Sequence, residues 1–371
     1  MSFSSWTRKK YLDLPREKRV AYLQEGALRE SGALLSAMDV DVIGDDIVLA
    51  RAFREDTLML LRGDGNLSTT TEDTSALVQE LSRNALKSLT EHFSPQNVLL
   101  KRVTTSVCSD ATLGRIARAE AVLSQDVNDL KRRLEGARRV YGLFHKQDSH
   151  MEDPVAFIHV ALAPEFGSSI EEIMHLTPDA ERRTATFYSV NVPSASMTGL
   201  DLGRRLIHAL SGHLLDEISD QLGLATLSPL PGLRQYVEGS IDRHEADDAY
   251  TLNTLQKNPH WRNDADLEQH CESWLSHQAA RYLVLAKAPP RNDGAPPAVL
   301  DPVLRFHLRN GAKACYRINP HGSASDVNMR KSFGVLVNYL YAGGAVVDED
   351  IRVVKGVPVS ANVAHQLCKV L

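Results

Sequence analysis

Asp153-Pro154 is followed by Val155-Ala156-Phe157-Ile158-His159-Val160-Ala161-Leu162, a short and nearly continuous apolar run. A run of this length, bounded by prolines, reads as a strand buried on both faces rather than as a helix. Working outward toward the C-terminus, Thr184–Val192 (TATFYSVNV) reads as a second strand and Gly199–Leu215 as a helix. Leu267–Lys287 is helical, Ala288–Pro297 with its four prolines is a loop, and Ser332–Tyr341 and Ala345-Val346-Val347 supply late strands. Strand alternating with helix predicts α/β layering. Working outward the other way, Val78, Leu81, Ala85 and Leu89 recur on one helix face behind a Thr/Ser/Asp-rich start at 70–75 that suits N-capping. Val127, Leu130 and Leu134 continue the pattern up to Gly136, Leu12–Leu35 and Ala50–Leu61 also look helical, and no β alternation is evident before Val140. The expectation is a two-domain α+β chain: a helical bundle over residues 1–150 and a mixed α/β domain over 151–371.

Composition agrees. With 371 residues, 43% hydrophobic and 24% charged, the chain has the soluble globular mixture and room for two or three domains. Disordered, fibrous and small disulfide-stapled classes are excluded. Forty-two basic against 47 acidic residues give a net charge of −5, so no overall basic field favours nucleic acid, while a local basic pocket for a phosphorylated ligand remains open. Cys108, Cys271, Cys315 and Cys368 are scattered without metal-ligand or redox spacing, which fits a reducing compartment. No apolar run is long enough to span a membrane, and Met1–Lys10 lacks the apolar core of a signal peptide. A cytoplasmic protein without membrane or nucleic-acid partners is expected. The tail Cys368-Lys369-Val370-Leu371 imitates a prenylation signal, but Lys369 is not aliphatic and no polybasic segment precedes it, so a free thiol is expected.

Generic motifs are absent: there is no P-loop, no dinucleotide-binding GxGxxG, no GxSxG elbow and no HExxH. His270 and His277 lie seven apart on one helix, without a third ligand at sensible spacing, so no metal is expected. His244-Glu245 with Asp247 and Asp248 reads as a solvated acidic segment. Three segments stand out. In Thr226-Leu227-Ser228-Pro229-Leu230-Pro231-Gly232, two prolines of fixed φ hold the serine in place, although a stiff surface turn explains the same pattern. Leu300–Ala312 (LDPVLRFHLRNGA) gathers His307, Arg305, Arg309 and Asn310 beside apolar residues, where a lone histidine is equally a core residue. Ser196–Arg205 ends a strand, frames a turn with Gly199 and Gly203, and opens a helix, which suits a phosphate or a plain cap.

Taken in order, these segments resemble the malonyl-CoA decarboxylase family. The resemblance is carried by FYSV at 187–190, TGLDLGRRLI at 198–207, TLSPLPG at 226–232, LDPVLRFHLRNGA at 300–312 and GVLVNYLY at 334–341, with a weaker echo over 117–145. It implies an N-terminal helical bundle, with an oligomerisation or regulatory role, followed by a catalytic domain of the GNAT acetyltransferase fold. It also implies that Ser228 and His307 act together at the thioester, that Tyr341 lines the same pocket with Asn338 and Tyr339 beside it, and that Thr198, Gly199, Leu200, Asp201, Leu202, Gly203 and Arg204 form the CoA-binding stretch. The implied ligands are malonyl-CoA and acetyl-CoA, and the implied assembly is a homo-oligomer.

The chemistry suits these groups. Loss of CO2 from a malonyl thioester leaves an enolate whose electron sink is the thioester carbonyl, so no pyridoxal, biotin or metal cofactor is required. The protein has to orient the carboxylate, stabilise the oxygen charge and protonate the α-carbon. An imidazole of ordinary pKa, near 6.5, donates at neutral pH. His307 is therefore the expected acid and Ser228 its partner, orienting the imidazole and hydrogen-bonding the carboxylate or thioester oxygen, with Tyr341 and Asn310 as donors around the enolate. The alternatives are a GNAT-like module that binds acyl-CoA or moves acyl groups from CoA to a carrier protein, and a decarboxylase of methylmalonyl-CoA.

Overall fold

A computed structural model describes residues 11–28, 47–62, 72–120, 123, 125–148, 152–240, 246–258, 260–289, 298–346 and 350–368. The chain compacts into two units, one of residues 1–127, 141–157 and 191–209, the other of 128–140, 158–190 and 210–371.

In the first unit, α1 (Arg16–Leu28), α2 (Ile47–Arg62) and α3 (Glu72–His92) pack together. Val78, Leu81, Ala85 and Leu89 all lie on the buried face of α3, and Leu49, Phe53 and Leu60 on that of α2. Burial of each large side chain contributes about 1.5–3 kcal/mol, which favours packing these three helices against one another. Among these helices Asp56 is fully buried and accepts from the Tyr11 hydroxyl (2.8 Å) and the Arg19 Nε (2.8 Å). The end of the helix expected over Leu12–Leu35, beyond Leu28, lies outside the described residues.

The strands begin earlier than expected. β1 (Val98–Val103) precedes α4 (Asp110–Arg118), α5 (Val127–Arg132), β2 (Arg138–His145) and β3 (Ala156–Ala163). β1 escapes a search for alternation because Val98, Leu99 and Leu100 are adjacent rather than alternating; it ends the row of strands, and its Lys101 and Arg102 are exposed, as suits an edge. β3, by contrast, is buried along its whole length, as its apolar run requires.

The chain continues through α6 (Ile170–Met174), β4 (Thr184–Asn191), α7 (Leu202–Glu217), β5 (Gly223–Thr226), β6 (Ser228–Pro229), α8 (Leu233–Ser240), α9 (Ala246–Lys257) and α10 (Ala265–Leu285). Then come α11 (Pro302–Arg309), β7 (Ala314–Asn319), α12 (Asp326–Ser332), β8 (Leu336–Ala342), β9 (Ile351–Val354), β10 (Val357–Ser360) and α13 (Ala361–Leu367). The strands run in the order β1-β2-β3-β4-β5-β8-β7-β10-β9, with β6 also on β8. β4–β5 and β7–β10 are parallel, while β5–β8, β7–β8 and β9–β10 are antiparallel, so the architecture is α+β around one large mixed sheet. The last strand, β9, leaves Val353 73% exposed and Ile351 37% exposed.

Two strand expectations are corrected. Ser332 closes α12, and Phe333 (φ 54°) and Gly334 (φ 83°) turn the chain before β8 begins at Leu336. The strand expected at Ala345–Val347 is instead a 3₁₀ turn at Gly344–Val346, with Val347 outside the described residues. Gly344 has φ 60°, and a Cβ there would stand 2.3 Å from the Gln221 carbonyl oxygen; that close approach forms a turn rather than a ladder.

Candidate active site

β5 and β6 deliver Ser228. β5 pairs with β4 in the register Phe187↔Thr226, and after Leu227 the chain pairs with β8 alone, placing Ser228 opposite Val337. Alternation along the strand puts Thr226 and Ser228 on the same face, and the Ser228 hydroxyl donates to Thr226 Oγ1 at 3.1 Å. The prolines then turn the chain into α8. A Cβ at Gly232 would fall 2.3 Å from the Tyr282 hydroxyl oxygen, so the last position of TLSPLPG admits only glycine without a shift of α10.

α11 delivers His307. Asp301 caps it by accepting from Leu304 N at 2.7 Å, and Pro302 occupies the first turn, where a missing N–H costs nothing. The other oxygen of Asp301 accepts from Tyr282 at 3.0 Å, so the same tyrosine braces both segments. Burial raises the pKa of both Asp301 and Tyr282. Leu304 and His307 form the buried face of this short helix, which stops at Asn310 and Gly311 (φ 91°).

β8 completes the site. Residues two apart share a face, so Tyr339 and Tyr341 both reach His307. The Tyr339 ring stacks on the imidazole (4.5 Å between centroids, 25°), and the Tyr341 hydroxyl lies 3.0 Å from Nδ1. Nε2 lies 2.9 Å from Ser228 Oγ. Between these residues, the buried Asn338 side chain donates to the carbonyls of Thr226 (2.9 Å) and Gly167 (3.1 Å), and accepts from Arg317 Nε and Asn319 Nδ2. It locks β5 and β8 in register beneath the site.

Electrostatics corrects one expectation. Burial pushes the His307 pKa down from 6.5 to about 3, so the imidazole is neutral at pH 7. The C-terminal end of a helix favours a cation by at most about 2 kcal/mol, whereas a fall of this size is worth about 5 kcal/mol. Desolvation wins. Burial also raises the pKa of Tyr341, which keeps its proton. A neutral imidazole thus sits between two protonated hydroxyls, an arrangement able to pass protons along its length without holding a charge.

The structure therefore brings Ser228, His307 and Tyr341 together. Asn310 is also buried, at the end of the same helix, and its Nδ2 has no hydrogen-bond partner among the described residues. Thr198–Arg204 belongs to the first unit. There Gly199 (φ 97°) and Asp201 (φ 56°) turn the chain into α7, Leu200, Leu202 and Gly203 are buried, and Thr198 and Arg204 are exposed. His270 and His277 do not converge: His270 Nε2 meets Thr251 Oγ1 (2.7 Å) and His277 Nδ1 meets the Gln366 carbonyl (2.7 Å). No group of three or more His, Cys, Asp or Glu side chains suited to a metal ion occurs among the described residues.

Residues 97–369 match the malonyl-CoA decarboxylase C-terminal domain. The chain belongs to the malonyl-CoA decarboxylase family. The mitochondrial malonyl-CoA decarboxylase of Anser anser anser is 31% identical over 294 residues, covering 71% of this chain and 56% of the relative. That of Rattus norvegicus is 29% identical over the same share of this chain and 57% of its own length. The chain thus spans just over half the length of the curated relatives it matches. Solved structures of malonyl-CoA decarboxylases share the fold: that from Rhodopseudomonas palustris superposes with a TM-score of 0.64 at 24% identity, over 92% of this chain and 93% of its own. The one from Agrobacterium vitis gives 0.68 at 23% identity, over 97% and 93%.

In this family member, sequence reasoning passed over Thr226, Asp301 and Tyr282. The first two carried a signal: Thr226 precedes Ser228 by one strand period, and Asp301-Pro302 is a helix-start signature. Tyr282 is a long-range partner from α10 and carried none.

Proposed function

We propose that the protein decarboxylates malonyl-CoA to acetyl-CoA and CO2, using the CoA thioester as substrate and no further cofactor. The observation that supports this most directly is the buried chain Ser228–His307–Tyr341, with both ends of a neutral imidazole hydrogen-bonded. Family membership supplies the substrate class. In this reading Ser228 accepts from Nε2 and so orients the imidazole toward the malonyl group. The carboxylate leaves as CO2, and its bonding electrons pass into the thioester enolate. The α-carbon then takes the Nε2 proton of His307, while Nδ1 takes the Tyr341 hydroxyl proton and the phenolate regains one from water. One proton is consumed per CO2 released. A thioester enolate is a strong enough base to draw on a neutral N–H, so the low pKa of His307 is compatible with its role as acid. Asn310, with its spare buried N–H, is a further donor to the enolate oxygen, since a buried polar atom without a partner calls for one. Thr198, Gly199, Leu200, Asp201, Leu202, Gly203 and Arg204 are proposed to hold the CoA moiety.

The assembly is read as a homo-oligomer built on the bundle of residues 1–150, and the compartment as the cytoplasm, where buried thiols such as Cys271 and Cys315 stay reduced. Among the described residues no helix is long and apolar enough to cross a membrane. Incubation of the purified protein with malonyl-CoA, read by mass spectrometry, tests the reaction. Acetyl-CoA in step with CO2 is expected. Unchanged malonyl-CoA, or an acyl group moved to a carrier protein, overturns it.

A further inference from the structure

We propose that Thr226 is a positioning residue that sets the direction of the hydrogen-bond chain and thereby selects the Nε2–H tautomer of His307. The kinetic consequence rests on the decarboxylase reading; the tautomer does not. A serine hydroxyl carries one hydrogen and a neutral imidazole carries one N–H, so the chain has few consistent arrangements. The Ser228 hydroxyl donates to Thr226 Oγ1 at 3.1 Å. Thr226 Oγ1 also faces the backbone N–H of Tyr339 at 3.4 Å, a group able only to donate, so this oxygen serves as an acceptor on that side. With its hydrogen on Thr226, Ser228 meets His307 Nε2, 2.9 Å away, as an acceptor. Nε2 therefore bears the hydrogen. Nδ1 is then bare, and the Tyr341 hydroxyl at 3.0 Å donates to it.

The result is a one-way chain, from Tyr341 O–H to Nδ1, from Nε2–H to Ser228, and from Ser228 O–H to Thr226. Thr226 is well placed to anchor it. The residue is fully buried at the end of β5, and its carbonyl is held by Asn338 at 2.9 Å. Without the Thr226 hydroxyl, the Ser228 hydrogen turns to Nε2, the imidazole hydrogen moves to Nδ1, and Tyr341 becomes the acceptor. The transferable proton then sits on the nitrogen facing away from Ser228.

Protein labelled with ¹⁵N at its 14 histidines reports this in long-range proton–nitrogen spectra, with His307→Gln assigning the resonance. Wild type is expected to show a protonated Nε2 and a bare Nδ1. Thr226→Val, nearly isosteric, is expected to invert the pattern, and Thr226→Ser to restore it. Turnover of malonyl-CoA should follow: kcat falls about three- to tenfold in Thr226→Val, the weight of about one hydrogen bond, with KM changed less than about twofold. A protonated Nδ1 in wild type, or an unchanged tautomer in Thr226→Val, overturns the assignment; an inverted tautomer with unchanged kcat overturns its role in the reaction. Inversion and rescue in a protein that makes no acetyl-CoA support the positioning role and refute the decarboxylase reading instead.

Discussion

Lowering the pH from 8 to 5 should cost the fold a definite amount of stability through His307 alone. In the folded protein this imidazole stays neutral down to about pH 3 because it is withdrawn from water. In an unfolded chain it takes a proton near pH 6.5. Between the two values the unfolded state binds a proton that the folded state refuses, so stability is fully present above pH 6.5 and drains away as pH falls. At pH 5, roughly 1.5 below the unfolded value, the loss is about 2 kcal/mol at about 1.36 kcal/mol per pH unit. That figure hardly depends on the folded value so long as it lies below about 4, because pH 5 is still on the straight part of the curve. Urea unfolding of wild type and His307→Gln at pH 8, 7, 6 and 5, followed through Trp261 and Trp274, isolates the effect; other titrating groups cancel in the difference. The stability advantage of wild type over the variant should shrink by about 2 kcal/mol from pH 8 to pH 5. Parallel pH curves would refute the reasoning, since His307 would then be protonated inside the folded protein and the neutral chain would not exist.

His307→Ala should lower turnover of malonyl-CoA by about 10²–10⁴-fold while changing KM much less, the usual contribution of a positioned acid; near-normal turnover in a folded variant removes it from the reaction. Because its folded pKa lies near 3, kcat/KM of wild type should show no inflection near pH 6.5 that belongs to His307, and one abolished in Thr226→Val or Tyr341→Phe would contradict the neutral imidazole. Ser228→Ala should lose most activity, and intact-mass spectra of wild type quenched with substrate should show no adduct; a gain of about 86 or about 42 Da on Ser228 would make the serine a nucleophile. Gly232→Ala should destabilise the protein by about 1–3 kcal/mol in urea unfolding, since its Cβ meets a tyrosine hydroxyl already bound to Asp301.

Most of the helical bundle was legible because Val78, Leu81, Ala85 and Leu89 keep strict helical spacing and all four are buried. β3 was legible because a strand buried throughout has to be apolar throughout. β1 was not, because adjacent Val98, Leu99 and Leu100 followed by Lys101 and Arg102 leave no periodic apolar trace. Ser228, His307 and Tyr341 were named from motifs on three separate elements, yet nothing local brings them within hydrogen-bond reach; the long-range pairing of β6 with β8 and the bracing of α11 by Tyr282 do that. The protonation state of His307 was misjudged for the same reason. It follows from burial, which is a property of the packed molecule rather than of the residue.

The two ends of the strand order are not alike. β1 closes one with Leu99, 38% exposed, near the exposed Lys101 and Arg102, while β9 closes the other with Ile351 and Val353 on either side of Arg352, Val353 almost bare. For anyone concentrating the protein, that contrast names the weak rim. A bare strand edge with apolar side chains is where another extended segment adds on and precipitation starts. Val353→Lys, on a strand separated from β8 by β7 and β10, is therefore the substitution to make first when preparing samples for crystals or spectra.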